Sequence, residues 1–207
     1  MLNIALPKGR LGDKVYRLLS GIGYKCPLYE EDNRKLVVEN EENGIRYLLV
    51  KPSDVAIYVE HGAADIGVVG RDILLESESD VYELMDLGIG KCRLAVAARE
   101  DYREDPNRVL RVATKYTHVT KKYYASINRE IELIELHGSI ELAPLLNLSD
   151  VILDIVETGT TLRENHLKVI RDVEQVSARL IANRSSYLFK KPEITRICEG
   201  LKGSMQK

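Results

Sequence analysis

The stretch Val151–Asn165, VILDIVETGTTLREN, constrains this chain more than any other. Val151, Ile152, Leu153, Ile155 and Val156, interrupted only by Asp154, read as a buried strand. The strand stops at Glu157, and Thr158-Gly159-Thr160-Thr161 leads into Leu162–Val169, which has a helical pattern. A strand feeding a glycine turn that opens a helix aims backbone N–H groups outward. The positive end of the helix dipole lies behind them, which suits an anion. Gly159 allows close backbone approach, and the threonine hydroxyls add donors. The carboxylates of Asp154 and Glu157 would repel a bare phosphate at this point. They suit a ligand that carries hydroxyls beside its phosphate, such as a ribose phosphate, or one that arrives with Mg²⁺. The same residues also make an ordinary turn with a helix cap, and the local pattern leaves that reading open.

The 207 residues allow one large or two small domains. A formal net charge of -2 and the lack of any basic run give no electrostatic case for nucleic acid. Cys26, Cys92 and Cys198 are odd in number and widely spaced, so they read as reduced thiols without metal-ligand spacing. The chain starts directly on strand-like Leu2–Leu6, with no leader and no membrane-spanning run, so a cytoplasmic protein is expected. Tryptophan is absent and phenylalanine occurs once, so the 11 tyrosines must supply most aromatic core area.

Strand Leu2–Leu6 is followed by the turn Pro7-Lys8-Gly9-Arg10 and a helix carrying Leu11, Val15, Leu18, Leu19 and Ile22, which Gly21 and Gly23 end. Lys35–Asn40 and Arg46–Val50 read as paired strands, and Pro52 starts a helix that Gly62 closes. Ala64–Gly70 is a strand whose end, Gly70-Arg71-Asp72, opens another helix. Val81–Leu87 and Cys92–Ala98 are strands joined by Gly88-Ile89-Gly90-Lys91, a hinge where the chain crosses to a second lobe. Val109–Ala113, Thr117–Ser126, Ile131–Leu136, Ile140–Leu146 and the Val151–Val169 segment alternate strand and helix, which predicts a small parallel sheet with crossover helices. Val173–Ala182 reads as one long returning strand. Ser185 and Ser186 are cap candidates for a closing helix faced by Leu188, Ile194, Ile197 and Leu201. The expected architecture is α/β and two-lobed, with residues 1–89 plus 183–207 in one domain and 90–182 in the other.

Chemistry-bearing residues gather in loops that follow strands: Lys8 and Arg10, Gly70-Arg71-Asp72, Lys115 and Tyr116, and Glu157–Thr161. Open parallel sheets place ligands at the carboxyl ends of their strands. His61, His118, His137 and His166 are scattered, and no Ser-His-Asp or Cys-His order supports nucleophilic catalysis.

The blocks LNIALPKGRL, DVAIYVEHGAADIGVVGRD, RVATKY, HGSIELAP and DVILDIVETGTTLREN, in that order across almost the whole chain, resemble the catalytic subunits of the ATP phosphoribosyltransferase family. The resemblance implies a fold like that of type II periplasmic binding proteins, with an active site in the interdomain cleft. It implies attack by N1 of ATP on phosphoribosyl pyrophosphate with Mg²⁺ present, at the first step of histidine biosynthesis. On these motifs Asp154 and Glu157, Thr158, Gly159, Thr160 and Thr161 match the ribose 5-phosphate loop. Lys8 and Arg10 match the nucleotide side, Gly70, Arg71 and Asp72 a loop lining the cleft, and Lys115 and Tyr116 a block of less defined role. Lys51 stands where many relatives carry arginine, and a lysine there cannot bind phosphate bidentately. No protein ligands for a metal are expected, since Mg²⁺ would come on the substrate. The chain ends just after its closing helix, so the resemblance implies the short form. Such forms resemble one another in forming homodimers within a hetero-oligomer, with a regulatory subunit similar to histidyl-tRNA synthetase. A bilobal small-ligand-binding module and a phosphoribosyltransferase for another base are the alternatives, neither involving nucleic acid or membrane.

Overall fold

In a computed structural model, residues 1–31 and 34–205 are described. The chain forms two compact units, Met1–Leu74 with Glu78–Gly90 and Ser177–Lys207, and Leu75–Ser77 with Lys91–Val176. Gln206 and Lys207, at the end of the expected first domain, lie outside the described residues.

The first unit opens with β1 (Leu2–Pro7) and α1 (Arg10–Gly21), whose Val15, Tyr16 and Leu19 turn inward. Gly23, at φ 100, closes this helix by donating its N–H to the Ser20 carbonyl. A short turn, α2 (Pro27–Glu30), is followed by β2 (Val37–Asn40) and β3 (Ile45–Val50). A 3₁₀ turn at Pro52–Asp54 runs into α3 (Val55–Glu60), and β4 (Ile66–Gly70), α4 (Arg71–Ser77) and β5 (Tyr82–Asp86) complete this half. The second unit runs through β6 (Cys92–Arg99), β7 (Leu110–Thr114), α5 (Thr117–Ser126), β8 (Ile131–Glu135), α6 (Leu142–Leu145), β9 (Val151–Val156), α7 (Thr160–Glu164) and β10 (Leu167–Val176). The chain then returns to the first unit as β11 (Ala178–Ala182), α8 (Arg184–Phe189) and α9 (Lys191–Met205).

Each unit is built on one sheet, six-stranded in the order β2-β3-β1-β4-β11-β5 and five-stranded in the order β10-β6-β9-β7-β8. In the first, β1 lies parallel to both β3 and β4 and is buried on both faces, which explains the apolar run Ile4–Pro7 after Asn3. Tyrosine supplies the aromatic packing, with Tyr16 stacked on Tyr29 at 3.8 Å between centroids and Tyr47 edge-on to both. Among the described residues no helix is long and apolar enough to cross a membrane.

Several sequence expectations change. The helical reading of Leu162–Val169 fails, because α7 ends at Glu164 and His166, at φ 54, turns the chain into β10. There Leu167 and Val169 face inward against β6, so their apolar spacing is that of a strand. The second sheet is therefore mixed: β7 is parallel to β8 and β9, while β6 is antiparallel to β9 and β10. Val173–Ala182 is not one strand. It breaks at Ser177, and β11 pairs with β4 and β5 in the first sheet. The crossing falls at Val176/Ser177 instead of after residue 182. Only Leu142–Leu145 of Ile140–Leu146 is helical. Finally, Asn183 caps α8 by accepting from Ser186 N, and Leu188 is 70% exposed while Ile194, Ile197 and Leu201 are buried.

Two aspartates, Asp65 buried and Asp150 partly buried, fasten elements that are distant in sequence. Asp65 accepts from Asn3 N at 2.7 Å, Ser186 Oγ at 2.7 Å and Lys190 Nζ at 2.8 Å, tying α8 to the start of the first sheet. In the second unit, Asp150 accepts from Arg111 N and Nη2, each at 2.9 Å, and from Arg108 Nη2 at 2.7 Å. Burial on its own would raise the Asp150 carboxyl, but hydrogen bonds from Arg111 and the charges of Arg111 and Arg108 hold it below the ordinary carboxylate value. A carboxyl depressed in the folded state adds stability that is full above its unfolded pKa of about 3.9 and is lost as pH falls through the lower folded value. Asp150→Asn is therefore expected to lower the urea midpoint at pH 7 and to flatten the acid-side fall in stability below about pH 4. Parallel curves for the variant and the parent across that window would remove Asp150 from this role.

Candidate active site

In the first unit the candidate residues meet at the carboxyl ends of parallel strands. Pro7 is in register with Val50, and Lys8 N donates to the Val50 carbonyl at 2.8 Å, so Lys8 and Lys51 emerge side by side. β4 lies on the other flank of β1, and Gly70-Arg71-Asp72 follows it. The turn is tight. Gly9 takes φ 98, and α1 starts so close to it that a Cβ at Gly12 would collide with the Pro7 carbonyl oxygen. Gly70 is confined likewise, since a Cβ there would collide with Asp72 Oδ1. Asp72 is itself buried, which places its carboxylate in the opening turn of α4.

In the second unit the parallel register Thr114↔Leu153 sets the two candidate loops beside each other. Thr114 Oγ1 donates to the Leu153 carbonyl at 2.6 Å and accepts from Tyr116 N at 2.8 Å, so this threonine pins the loop after β7 to β9. Lys115 Nζ then lies 3.8 Å from Asp154 Oδ1 and 4.9 Å from the centroid of the Tyr116 ring. The Tyr116 ring is buried in the core, so it acts as a floor for Lys115. Glu76 holds the start of α5 by accepting from Thr117 Oγ1 at 3.1 Å, His118 N at 3.0 Å and Val119 N at 3.1 Å. No sequence pattern announces this cap, because the carboxylate comes from a distant helix.

The Glu157–Thr161 loop turns at Gly159, which takes the left-handed φ 71 that a side chain would resist. Thr158 Oγ1 lies 3.0 Å from Thr160 Oγ1. Arg163, which the sequence motifs do not single out, folds back to donate to the Thr158 carbonyl and to Thr160 Oγ1, each at 3.0 Å. The only sequence signal for it is its position four residues after Gly159, one helical turn on. At five residues α7 is too short for its dipole to matter much, so the donors here are the turn's own N–H groups, its hydroxyls and Arg163. The histidines gather nowhere. Among the described residues no group of three or more His, Cys, Asp or Glu side chains could hold a metal ion.

Loops of cations and small residues at the ends of one sheet, and a threonine–glycine turn with flanking acids at the end of the other, are the features by which the sequence resembles a known family. The family model for HisG: ATP phosphoribosyltransferase matches residues 51–203. The chain belongs to the ATP phosphoribosyltransferase family. It is 61% identical to the ATP phosphoribosyltransferase of Brachyspira hyodysenteriae, covering 97% of this chain and 98% of that protein. To the Clostridioides difficile ATP phosphoribosyltransferase it is 50% identical, over 95% and 94% of the two chains. Among solved structures, the ATP phosphoribosyl transferase (HisG:HisZ) complex from Thermotoga maritima matches with a TM-score of 0.87 at 35% identity, covering 100% of this chain and 99% of that one. The substrate-binding protein of an amino acid ABC transporter matches with a TM-score of 0.62 at 12% identity over 99% and 93% of the chains, a likeness of fold alone. The two-lobed α/β architecture is thus the one ATP phosphoribosyltransferases share with periplasmic binding proteins.

Substituting Gly12 tests how closely the turn after β1 is built. Ala would gain about 1 kcal/mol of helix propensity, but its methyl would meet a backbone carbonyl that cannot rotate away. Overpacking of this kind costs about 1–3 kcal/mol, so Gly12→Ala should lower the urea midpoint and reduce turnover together. A raised midpoint with full turnover would show that the turn has room to spare.

Proposed function

We propose that this chain catalyses transfer of the phosphoribosyl group from phosphoribosyl pyrophosphate to N1 of ATP, the first step of histidine biosynthesis. The C–N bond to adenine forms as the anomeric C–O bond to pyrophosphate breaks, so the products are phosphoribosyl-ATP and pyrophosphate. The observation that carries this reading is the family membership over nearly the full chain, with the strand–Glu-Thr-Gly-Thr-Thr turn intact. Such a displacement needs no enzymic nucleophile. It needs alignment, together with charges that offset the oxocarbenium character at the anomeric carbon and the growing charge on pyrophosphate.

The chain's residues divide this work. N–H groups and hydroxyls of Thr158, Gly159, Thr160 and Thr161 bind the 5-phosphate, and Asp154 and Glu157 accept from the ribose hydroxyls. Lys115, 3.8 Å from Asp154, offsets part of its charge. On the first sheet Lys8, Arg10, Lys51 and Arg71 supply positive charge for the triphosphate and pyrophosphate, and Gly70 with Asp72 shapes the loop. Mg²⁺ would enter with the substrate and offset the charge of the departing pyrophosphate. We further infer a cytoplasmic homodimer that joins a regulatory subunit resembling histidyl-tRNA synthetase. What supports the regulatory subunit is the likeness, over 99% of that chain, to one solved in a HisG:HisZ complex.

The test is pyrophosphate release with ATP, phosphoribosyl pyrophosphate and Mg²⁺, each omitted in turn, with and without such a subunit. Release that requires all three is expected, stimulated by the subunit. Tight binding of both substrates without release in either condition would favour a binding module, and release with a free purine in place of ATP would favour another base. In the same assay Thr161→Ala should raise the KM for phosphoribosyl pyrophosphate and Arg10→Ala that for ATP. Each rise should be roughly tenfold, the usual cost of removing one hydrogen bond to a charged phosphate. Equal rises for both substrates in both variants would contradict the division of labour.

A further inference from the structure

The phosphate loop lacks the field that its sequence promises. α7 has five residues, and the nearby carboxylates of Asp154 and Glu157 act against an anion. The loop nevertheless contains a cation of its own. Arg163 Nη1 donates to the Thr158 carbonyl at 3.0 Å, and Nη2 donates to Thr160 Oγ1 at 3.0 Å. A Cβ placed on Gly159 would stand 3.4 Å from Arg163 Nη1, so the guanidinium lies against the turn itself.

These two bonds decide what the loop can offer. A guanidinium only donates, so Thr160 Oγ1 must accept from Arg163, and its single proton is left for another partner. Thr158 Oγ1, 3.0 Å away, is one such partner, and Thr160 N also points at it from 3.4 Å. Whichever way the hydroxyl pair is arranged, one of the two protons remains for an incoming acceptor. The other bond engages the Thr158 carbonyl, an acceptor at the mouth of the turn that would otherwise repel phosphate oxygens. The arginine thus keeps donors pointing out and an acceptor occupied, and it adds a full positive charge.

We propose that Arg163 is the positioning residue of the phosphate loop, setting its hydroxyls and carbonyl to receive the 5-phosphate of phosphoribosyl pyrophosphate. This rests on the reading of Glu157–Thr161 as the phosphoribosyl site. Lysine in its place has one donor centre where arginine has two, so it can restore the charge but not both bonds at once.

The test compares Arg163→Ala, Arg163→Lys and the parent, with Arg184→Ala as a control for removal of a surface cation paired to Asp80. Steady-state assays follow phosphoribosyl pyrophosphate and ATP separately, in the complex with the regulatory subunit. Calorimetry with ribose 5-phosphate reads the loop without turnover, and thermal melting reads the fold. Arg163→Ala should raise the KM for phosphoribosyl pyrophosphate and weaken ribose 5-phosphate by the same factor, roughly tenfold, the size of one hydrogen bond from a misplaced loop hydroxyl to the charged phosphate. Its kcat, its KM for ATP and its Tm should stay at the parent's values, Arg163→Lys should fall between, and Arg184→Ala should match the parent. Unchanged KM and ribose 5-phosphate affinity in Arg163→Ala, beside an active parent, would overturn the proposal. So would a lowered Tm with both KM values and kcat affected and no rescue by lysine, since that marks a structural clip alone. A parent that neither binds ribose 5-phosphate nor releases pyrophosphate would overturn the reading of the loop itself, and the arginine's role with it.

Discussion

Val112, Ala113 and Thr114 of β7 run parallel to Val151, Ile152 and Leu153 of β9, and the chemistry of the second unit depends on that register. Parallel strands end together, so the loops that leave them start side by side. The Thr114 hydroxyl, held between the Leu153 carbonyl and Tyr116 N, converts the alignment into a fixed distance between Lys115 and Asp154. β1 between β3 and β4 does the same for Lys8, Lys51 and the Gly70 turn. In each unit, a hydrogen-bonding rule of sheets gathers charges that are tens of residues apart in sequence.

Much of this is legible in the sequence, because the informative residues act locally. Glycines at turns, a proline at a helix start and apolar runs in buried strands reveal themselves without knowledge of their neighbours. The Thr117–Ser126 helix and the strand ends carrying Lys8, Gly70 and Glu157 can be placed on that basis. The failures share a cause. Leu162, Leu167 and Val169 fit a helix as well as a short turn followed by a strand, and only the edge of β6 decides between them. Ser177 separates β10 from β11 because two different sheets compete for that segment, which no local pattern records.

The site shows the same limit. Glu76 lies outside every motif, and Thr114 and Arg163 sit within motifs without standing out, since each acts by reaching a backbone group that folding brings near. Tyr116 and Asp72, both on the motifs, are buried, Tyr116 beneath Lys115 and Asp72 against Gly70. A motif marks where chemistry happens. It does not separate the residues that touch a ligand from those that hold others in place.

The crossing at Gly90 and Ser177 has a consequence for how such a chain can change over generations. The second unit is inserted into the first, and its two ends enter and leave as neighbouring strands, with Cys92 in register with Val176. An insert whose ends are already paired leaves its host no loose gap to close and little loop entropy to overcome. The host sheet then needs only two adjacent attachment points. Remodelling of the inserted half can then proceed while β1, β4 and β11 keep their partners in the first sheet.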